Sequence, residues 1–279
     1  MNIESIKAKL KQYSKANKKV HQYTLTRYFQ ERFLYRLSQS NFKDRFLLKG
    51  GALVYVLGAE ASRYTKDIDF LLTGKGAVDA DLASILNEVC QIKVEDGLEF
   101  DLDSIATESI QKDGQNEGTR IKIKTSLGNI IQQLQIDVGI GDFVTPGPQQ
   151  IIYPTLLEGL AKPVLQAYSL ETLVAEKFEA MIALGEYNSR FKDFYDIYTL
   201  VENCDMSVLS KAIQNTLKRR ETTISKPHPI FEKTFYSNPQ RLKQWNVFLT
   251  RSELGEITFE DVYEKLKRFL KPIYEEMLG

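Results

Sequence analysis

The chain has 279 residues, 43% of them hydrophobic, and its 37 Lys and Arg residues balance 37 Asp and Glu residues. This length and composition indicate a globular protein of one or two domains. No apolar stretch approaches the roughly 20 residues that span a bilayer, and the charged N-terminus lacks the apolar core of a signal peptide. We therefore expect a cytoplasmic protein with no membrane partner. With only two histidines and two cysteines far apart in sequence, a multi-histidine or thiolate metal site is excluded.

The charges are unevenly distributed along the chain. Residues 1–45 hold 11 Lys and Arg against three Asp and Glu, and residues 211–251 hold nine against two. Residues 46–210, which lie between them, hold 13 against 25. An acidic middle flanked by basic segments fits a metal site that receives a polyanionic substrate. Charges that merely solvate helix faces give the same pattern, and for any single lysine that explanation is favoured.

The N-terminal half mixes helical and strand patterns. Helical character is found in four segments, residues 3–16, 24–38, 51–58 and 79–90. In the second of these, Arg27, Glu31 and Arg36 fall largely opposite the apolar face, and Asp79 or Asp81 is a candidate cap for the fourth. A short apolar segment lies near residues 46–49. Strand patterns occur after it in four segments, residues 67–72, 97–106, 119–126 and 130–140. Residues 127–129 between the last two predict a hairpin turn.

The character of the chain changes in its C-terminal half. Residues 141–168 are rich in Gly and Pro, which predicts a connector. From residue 169 on, nearly everything is helical, with Ser169 as a candidate N-cap. The predicted helices are residues 169–184, 190–203, 207–221, 239–251 and 258–277. The predicted fold class is α+β, with an α/β domain over residues 1–165 that carries a mixed sheet and a helical domain over residues 166–279.

The most informative stretch of the chain is residues 47–72. Gly50 and Gly51 precede a predicted helix, where a backbone without side chains can approach an anion closely. Asp67 and Asp69 follow on a predicted strand, and their spacing places both carboxylates on one face. Because their neighbours are apolar and buried carboxylates are costly without partners, a bound cation is the simplest explanation.

Other acidic residues compete for this role. Asp137 ends a strand that can lie beside the first, and we predict it as the third carboxylate of the site and the best candidate general base. Glu99, Asp101 and Asp103 share one strand face, but that alternation is typical of an ordinary solvated face. Mg²⁺ prefers oxygen ligands, so three carboxylates and substrate phosphates suffice to hold one or two ions.

The helical half contributes a second candidate group. Asp193 and Asp196 are i, i+3 neighbours on one predicted helix, and Lys177 lies on the preceding one. A lysine can bind a triphosphate as a point charge. An ion pair between Lys177 and Asp193 that joins two helices is an equally good explanation.

Together these segments resemble the nucleotidyltransferase toxins of the AbiEii/AbiGii abortive-infection type, within the DNA polymerase β-like nucleotidyltransferase superfamily. The resemblance covers roughly residues 47–200. It is carried in order by Leu48-Lys49-Gly50-Gly51-Ala52-Leu53, Arg63-Tyr64-Thr65-Lys66-Asp67-Ile68-Asp69, Ile136-Asp137-Val138, Ala175-Glu176-Lys177 and Arg190-Phe191-Lys192-Asp193-Phe194-Tyr195-Asp196-Ile197.

The resemblance implies a nucleotidyltransferase-like mixed sheet and Mg²⁺-dependent transfer of a nucleoside monophosphate from an NTP. It also implies a toxin blocked by a separately encoded antitoxin, one form of which is a DNA-binding repressor, and an RNA acceptor such as a tRNA 3′ end. Such a toxin would act in phage defence. By position it implies three metal ligands, Asp67, Asp69 and Asp137. The implied nucleotide contacts are Lys49, Gly50, Gly51, Arg63 and Lys177, with Asp193 supporting Lys177.

One departure from the superfamily pattern concerns the turn, where Gly-Ser is common and this chain has Gly50-Gly51. A serine hydroxyl is therefore absent, and backbone amides must contact the phosphate instead. Two alternative functions remain open at this point. One is nucleotidyl transfer to a protein hydroxyl or a small molecule, and the other is a non-catalytic binding module of the same fold.

Overall fold

The computed structural model of the chain describes residues 2–58, 63–74, 81–112, 116–225 and 227–278. Its internal contacts divide the chain into two compact units. The first comprises Met1–Val56, Tyr64–Gly141 and Gln149–Ala167. The second comprises Leu57–Arg63, Asp142–Pro148 and Tyr168–Gly279.

The first unit is built on one seven-stranded mixed sheet, which confirms the predicted fold class. Its strands are β1 (Phe46–Lys49), β2 (Asp67–Leu72), β3 (Leu98–Lys112), β4 (Asn116–Leu127), β5 (Ile130–Ile140), β6 (Gln149–Ile152) and β7 (Val164–Ala167). They lie in the order β3-β4-β5-β2-β1-β7-β6. Strands β2 and β5 pair in parallel, as do β1 and β7, and all other neighbours are antiparallel.

Four helices accompany these strands in the N-terminal part of the chain. They are α1 (Ile3–Ala16), α2 (His21–Gln39), α3 (Gly50–Gly58) and α4 (Leu82–Cys90). Asp81 caps α4 by accepting a hydrogen bond from the Ser84 amide, whereas the alternative cap, Asp79, lies outside the described residues. Alternate residues of the central strands, such as Ile68, Phe70 and Ile136, are at most 1% exposed and form the core side of the sheet. Their neighbours along the strands, including the acidic residues, therefore lie on the opposite face.

One expectation about this unit was wrong. Residues 141–168 are more than a connector, because they contain β6 and β7, which extend the sheet beyond β1.

The polar side of α2 is buried, since Glu31 is 0% and Arg36 2% exposed. Arg36 donates to both oxygens of Asp96, at 2.6 and 3.0 Å, and this pairing compensates the burial of both charges.

The second unit is helical, as predicted. Its helices are α5 (Leu170–Leu184), α6 (Phe191–Leu200), α7 (Met206–Arg219), α8 (Lys233–Tyr236), α9 (Pro239–Arg251) and α10 (Phe259–Glu276). Ser169 caps α5 through the Thr172 amide. Aromatic rings from three helices pack together in its core, with Phe191 contacting Trp245 and Phe259 at centroid distances of 6.0 and 5.7 Å. Within the described residues, no helix combines the length and apolar character that crossing a bilayer requires.

Candidate active site

Three carboxylates converge on the polar face of the sheet. Asp67 and Asp69 lie on β2, and Asp137 lies beside Asp69 on the parallel strand β5. One oxygen from each of the three lies within 4.8 Å of the other two. Their placement follows from the alternation of strand side chains, because Asp67 and Asp69 are two residues apart and Asp69 is in register with Asp137. The structure therefore brings together the three residues predicted as metal ligands.

The junction between β1 and α3 lies directly against Asp69. Lys49, the last residue of β1, is the cross-strand partner of Asp69, and α3 begins at the next residue, Gly50. Gly50 has a φ of +63°, and a Cβ added there would lie 2.1 Å from the Asp69 Oδ2. Only glycine accommodates both the left-handed backbone and the close carboxylate. Gly50 thus allows the chain to turn into α3 without displacing Asp69.

Gly51 is restricted by a different neighbour. A Cβ at this position would lie 2.6 Å from the Thr65 Oγ1. That hydroxyl donates a 2.8 Å hydrogen bond to the Asp67 Oδ1. The space that a serine at position 51 would need is therefore already filled by a side chain that orients Asp67, which gives a physical reason for the Gly-Gly turn.

Asp137 is held by a basic residue that the sequence did not single out. Arg120 on β4 is its cross-strand partner and donates from Nε and Nη2 to Oδ1 and Oδ2, both at 2.9 Å. This hydrogen bonding raises the pKa of Arg120. Gln135 adds a longer contact of 3.4 Å to the Asp137 Oδ1. The Asp137 carboxylate is therefore held in one orientation on the polar face of the sheet.

The donor set fits a hard divalent cation. Carboxylate oxygens are the ligands that Mg²⁺ and Mn²⁺ prefer, and three of them within 4.8 Å repel one another unless positive charge lies among them. Arg120 offsets part of that repulsion at Asp137. Each carboxylate oxygen has two lone pairs, so the bonds from Arg120 and Thr65 leave acceptor capacity for a metal.

The remaining predicted site residues form a separate network within the second unit. Lys177 on α5 donates to Asp193 and Asp196 on α6, at 3.0 and 2.6 Å. Asp196 also accepts two 2.9 Å hydrogen bonds from Arg63, and Asp193 accepts one of 2.6 Å from Arg190. The ion pair between α5 and α6 that competed with a phosphate-binding role is therefore present. The five residues carry three positive and two negative charges.

Opposite charges within this network shift the pKa values of Asp193 and Lys177. Burial alone would raise the pKa of Asp193, but Lys177 and Arg190 outweigh it and lower that pKa to about 2. Burial would likewise lower the pKa of Lys177, but the two carboxylates outweigh it and raise that pKa. Lys177 and Asp193 are therefore both charged across the physiological pH range.

The competing acidic strand face is an ordinary one. Glu99, Asp101 and Asp103 on β3 are all exposed. They lie outside the cluster of three carboxylates. The solvated-face interpretation of these residues is confirmed.

The contact of Arg120 with Asp137 was not predicted, although it follows from the register of the hairpin between β4 and β5. A two-residue turn at Gly128-Asn129 pairs Leu127 with Ile130 and fixes the register of the whole hairpin. Arg120 and Asp137 lie equally far from that turn, so their pairing follows from it. The sequence places Asp196 beside Asp193 but gives it no role of its own, and it shows Thr65 only as part of a motif. Nothing local in the sequence shows which of two neighbouring polar residues contacts a given partner.

A mixed sheet that presents three clustered carboxylates beside a glycine turn is consistent with the class of nucleotidyltransferases. Residues 32–265 match the family model described as nucleotidyl transferase AbiEii toxin of type IV toxin–antitoxin systems. The match covers most of the chain, which therefore belongs to this family of nucleotidyltransferase toxins.

Two solved structures from Helicobacter pylori are also similar to this chain. One is described as a candidate nucleotidyltransferase and has a TM-score of 0.47 and 15% identity, with 89% of this chain and 94% of that chain covered. The other, JHP933, has a TM-score of 0.48 and 14% identity, with 88% and 90% covered. No curated protein matches the chain significantly.

Proposed function

We propose that this chain transfers a nucleoside monophosphate from an NTP to an RNA acceptor, the 3′ end of a tRNA, as the toxin of an abortive-infection system in phage defence. The observation that carries the proposal is the cluster of Asp67, Asp69 and Asp137, whose oxygens lie within 4.8 Å of one another on adjacent strands. In this proposal a separately encoded antitoxin, for instance a DNA-binding repressor, opposes the activity.

The three carboxylates are assigned to hold Mg²⁺, in a two-metal arrangement. A metal held there would lower the pKa of the attacking hydroxyl and would balance charge on the leaving pyrophosphate. In the reaction, the acceptor oxygen bonds to the α-phosphorus, the bond to the β-phosphate oxygen breaks, and pyrophosphate leaves. Because both Asp137 oxygens already accept hydrogen bonds from Arg120, we assign Asp137 to metal binding in preference to proton transfer.

The protein's own cations are assigned to the NTP. Gly50 and Gly51 expose backbone amides at the start of α3, where an anion is favoured, and Lys49 lies at the same junction. Lys177 and Arg63 are assigned to the triphosphate, with Asp193 orienting Lys177 through their 3.0 Å hydrogen bond. The net positive charge of their network supports this assignment.

Label transfer to RNA tests the proposal. The purified chain is incubated with each of the four α-labelled NTPs, Mg²⁺ and total tRNA, and the same is done with Asp69→Asn and Asp103→Asn. Asp103 is an exposed strand carboxylate outside the cluster, so its variant is the matched control. We expect labelled tRNA with the wild type and the control and none with Asp69→Asn. Equal labelling by all three proteins would refute the site assignment.

The acceptor is tested in the same reactions. If label appears on protein, or on a small molecule while tRNA stays unlabelled, the acceptor is not RNA. The nucleotidyl transfer itself would still be supported. Growth of a bacterial host that expresses the chain gives a second readout. Arrest by the wild type and by Asp69→Ala alike would contradict an enzymatic toxin and favour a binding module.

A further inference from the structure

A groove in the second unit lies between residues 143–146 and helix α7. Its volume is about 870 Å³, within the range of ligand-binding clefts. Its lining includes Phe143, Thr145, Lys211, Asn215, Lys218 and Arg219. None of these residues belongs to the carboxylate cluster or to the Lys177 network.

The wall opposite α7 is held rigidly in place. The Thr145 amide donates to the Thr172 hydroxyl at 2.8 Å, and the Thr145 carbonyl accepts from the hydroxyls of Ser169 and Thr172. The Asn215 side chain donates to the Thr145 Oγ1 at 2.9 Å. Both walls are therefore fixed to the helices of this unit, and the groove exists before any ligand binds.

The charged residues described in the groove lining are all positive. Lys211, Lys218 and Arg219 are exposed, and the lining contains no carboxylate among the described residues. Asp142, next to the groove in sequence, is paired with Arg220 at 3.5 Å. Lys211 and Lys218 are seven residues apart on α7, which separates them by about 10 Å along the helix axis. Such a row of cations suits a chain of phosphates better than a single one.

An exposed aromatic ring accompanies these cations. Phe143 lies in the groove lining and is 62% exposed, so its ring is accessible to a ligand. A positively charged groove with an accessible ring is the combination that binds single-stranded nucleic acid, because phosphates contact the cations and a base stacks on the ring. An acidic protein could also pair with these cations, but its binding would not require a concave groove with an exposed aromatic ring.

We propose that this groove binds a single-stranded RNA segment, with phosphates at Lys211 and Lys218 and a base stacked on Phe143. The inference deepens the proposed function and rests on its RNA acceptor. It also gives a role to Lys211 and Lys218, two of the nine basic residues in the segment 211–251.

Fluorescence anisotropy with a labelled 12-nucleotide single-stranded RNA tests the proposal on the full chain. Lys211→Gln/Lys218→Gln is compared with Lys233→Gln/Lys243→Gln, which removes two exposed lysines of the same unit outside the groove lining. We expect the groove variant to bind about 10-fold more weakly and to show a shallower salt dependence. The control variant should bind like the wild type. Equal affinities of the two variants would overturn the proposal.

The ring is tested separately. Phe143→Leu should weaken binding by about 10-fold, whereas Phe143→Tyr, which keeps the stacking surface, should bind like the wild type. Equal affinities of the two variants would overturn the stacking assignment. An RNA duplex of the same sequence should bind more weakly than the single strand, and tighter binding of the duplex would overturn the preference for single strands. Thermal unfolding of each variant verifies that the fold is retained.

Failure of this inference is distinguishable from failure of the proposed function. If the wild type labels RNA but the groove variants bind it normally, the groove is not the RNA site and the transfer chemistry stands. Asp69→Asn should bind the RNA like the wild type while transferring no label. If the groove variants instead fail only to bind an acidic protein partner, such as an antitoxin, the groove is a protein interface.

Discussion

Arg120 and Asp137 are joined by two hydrogen bonds of 2.9 Å across adjacent antiparallel strands. The Asp137 side chain is 1% exposed, whereas that of Arg120 is 30% exposed. A buried carboxylate in the acidic cluster is thus oriented by a partly accessible cation. Because bidentate pairs between arginine and carboxylate fix both distance and plane, Arg120 determines how Asp137 presents its oxygens to a metal.

Removal of this pairing is expected to reduce activity without destroying the fold. Arg120→Gln should lower label transfer about 10- to 100-fold and raise the Mg²⁺ concentration needed for half-maximal rate. Arg120→Lys keeps the charge but loses the second hydrogen bond. Its label-transfer rate should therefore lie between those of the wild type and Arg120→Gln. Initial rates across a Mg²⁺ titration measure both effects.

The matched control for Arg120 is Lys122, its neighbour on the same face of β4. Its side chain is 32% exposed, similar to that of Arg120, and it pairs with Glu108 at 3.0 Å. Lys122→Gln should leave the Mg²⁺ dependence unchanged. A Mg²⁺ dependence altered equally in both variants would show that Arg120 has no specific role in orienting Asp137.

Gly51→Ser introduces the residue common in the superfamily, yet we expect it to be harmful here. The new Cβ would lie 2.6 Å from the Thr65 hydroxyl, so we expect a loss of about 1–3 kcal/mol in the free energy of unfolding. Thr65→Gly removes both the Oγ1 and the Cβ that would lie 2.6 and 2.7 Å from the new Cβ, so the double variant should be more stable than the sum of the single effects predicts. Urea unfolding of the three variants measures this coupling. Purely additive effects would contradict the packing explanation.

Asp193 should contribute to stability in a pH-dependent way. Its pKa is lowered from 3.8 to about 2, so its contribution is complete above about pH 4 and is lost as the pH falls through about 2. Asp193→Asn should therefore reduce the free energy of unfolding by about 2 kcal/mol at pH 7, and the pH-dependent part of this deficit should shrink between pH 4 and pH 2.

Chemical unfolding at pH 7, 4 and 2.5 measures the deficit of Asp193→Asn, with Asp103→Asn as the exposed control. The control should differ little from the wild type at all three pH values. A deficit of constant size from pH 7 to pH 2.5 would show that the charge of Asp193 is not what stabilises the fold.

Metal binding can be tested without any substrate. Mn²⁺, which has similar ligand preferences to Mg²⁺, should bind the wild type and Asp103→Asn in isothermal titration calorimetry. Asp67→Asn and Asp69→Asn should each weaken binding at least about 10-fold, since each removes a candidate ligand. Unchanged Mn²⁺ affinity in both variants would place the metal elsewhere.

Much of the site could be predicted because it depends on local periodicity. The two-residue spacing of Asp67 and Asp69 within an apolar strand fixes their common face, and the pair of glycines marks a turn. These two features depend on neighbours within a few residues, which a sequence displays directly. Asp137 was predicted to join them because it ends an apolar strand that can lie beside theirs, although β3 and β4 separate the two strands in sequence.

The parts that could not be predicted depend on distant partners. Strands β6 and β7 are only four residues long and lie among glycines and prolines, and they are ordered by pairing with each other and with β1. Glu31 and Arg36 have the periodicity of a solvated helix face, but Asp96 and the Leu156 amide compensate their burial. Such compensation depends on residues 60 or more positions away.

The chemical fate of the NTP tests the central claim most directly. The purified chain is incubated with Mg²⁺, RNA and an NTP labelled either at the α- or at the γ-phosphate, and the same is done with Asp69→Asn. Nucleotidyl transfer at the carboxylate cluster predicts α-label on the RNA, γ-label only in released pyrophosphate, and neither product with Asp69→Asn. Gamma-label on the RNA, or α-label transfer that persists in Asp69→Asn, would contradict it.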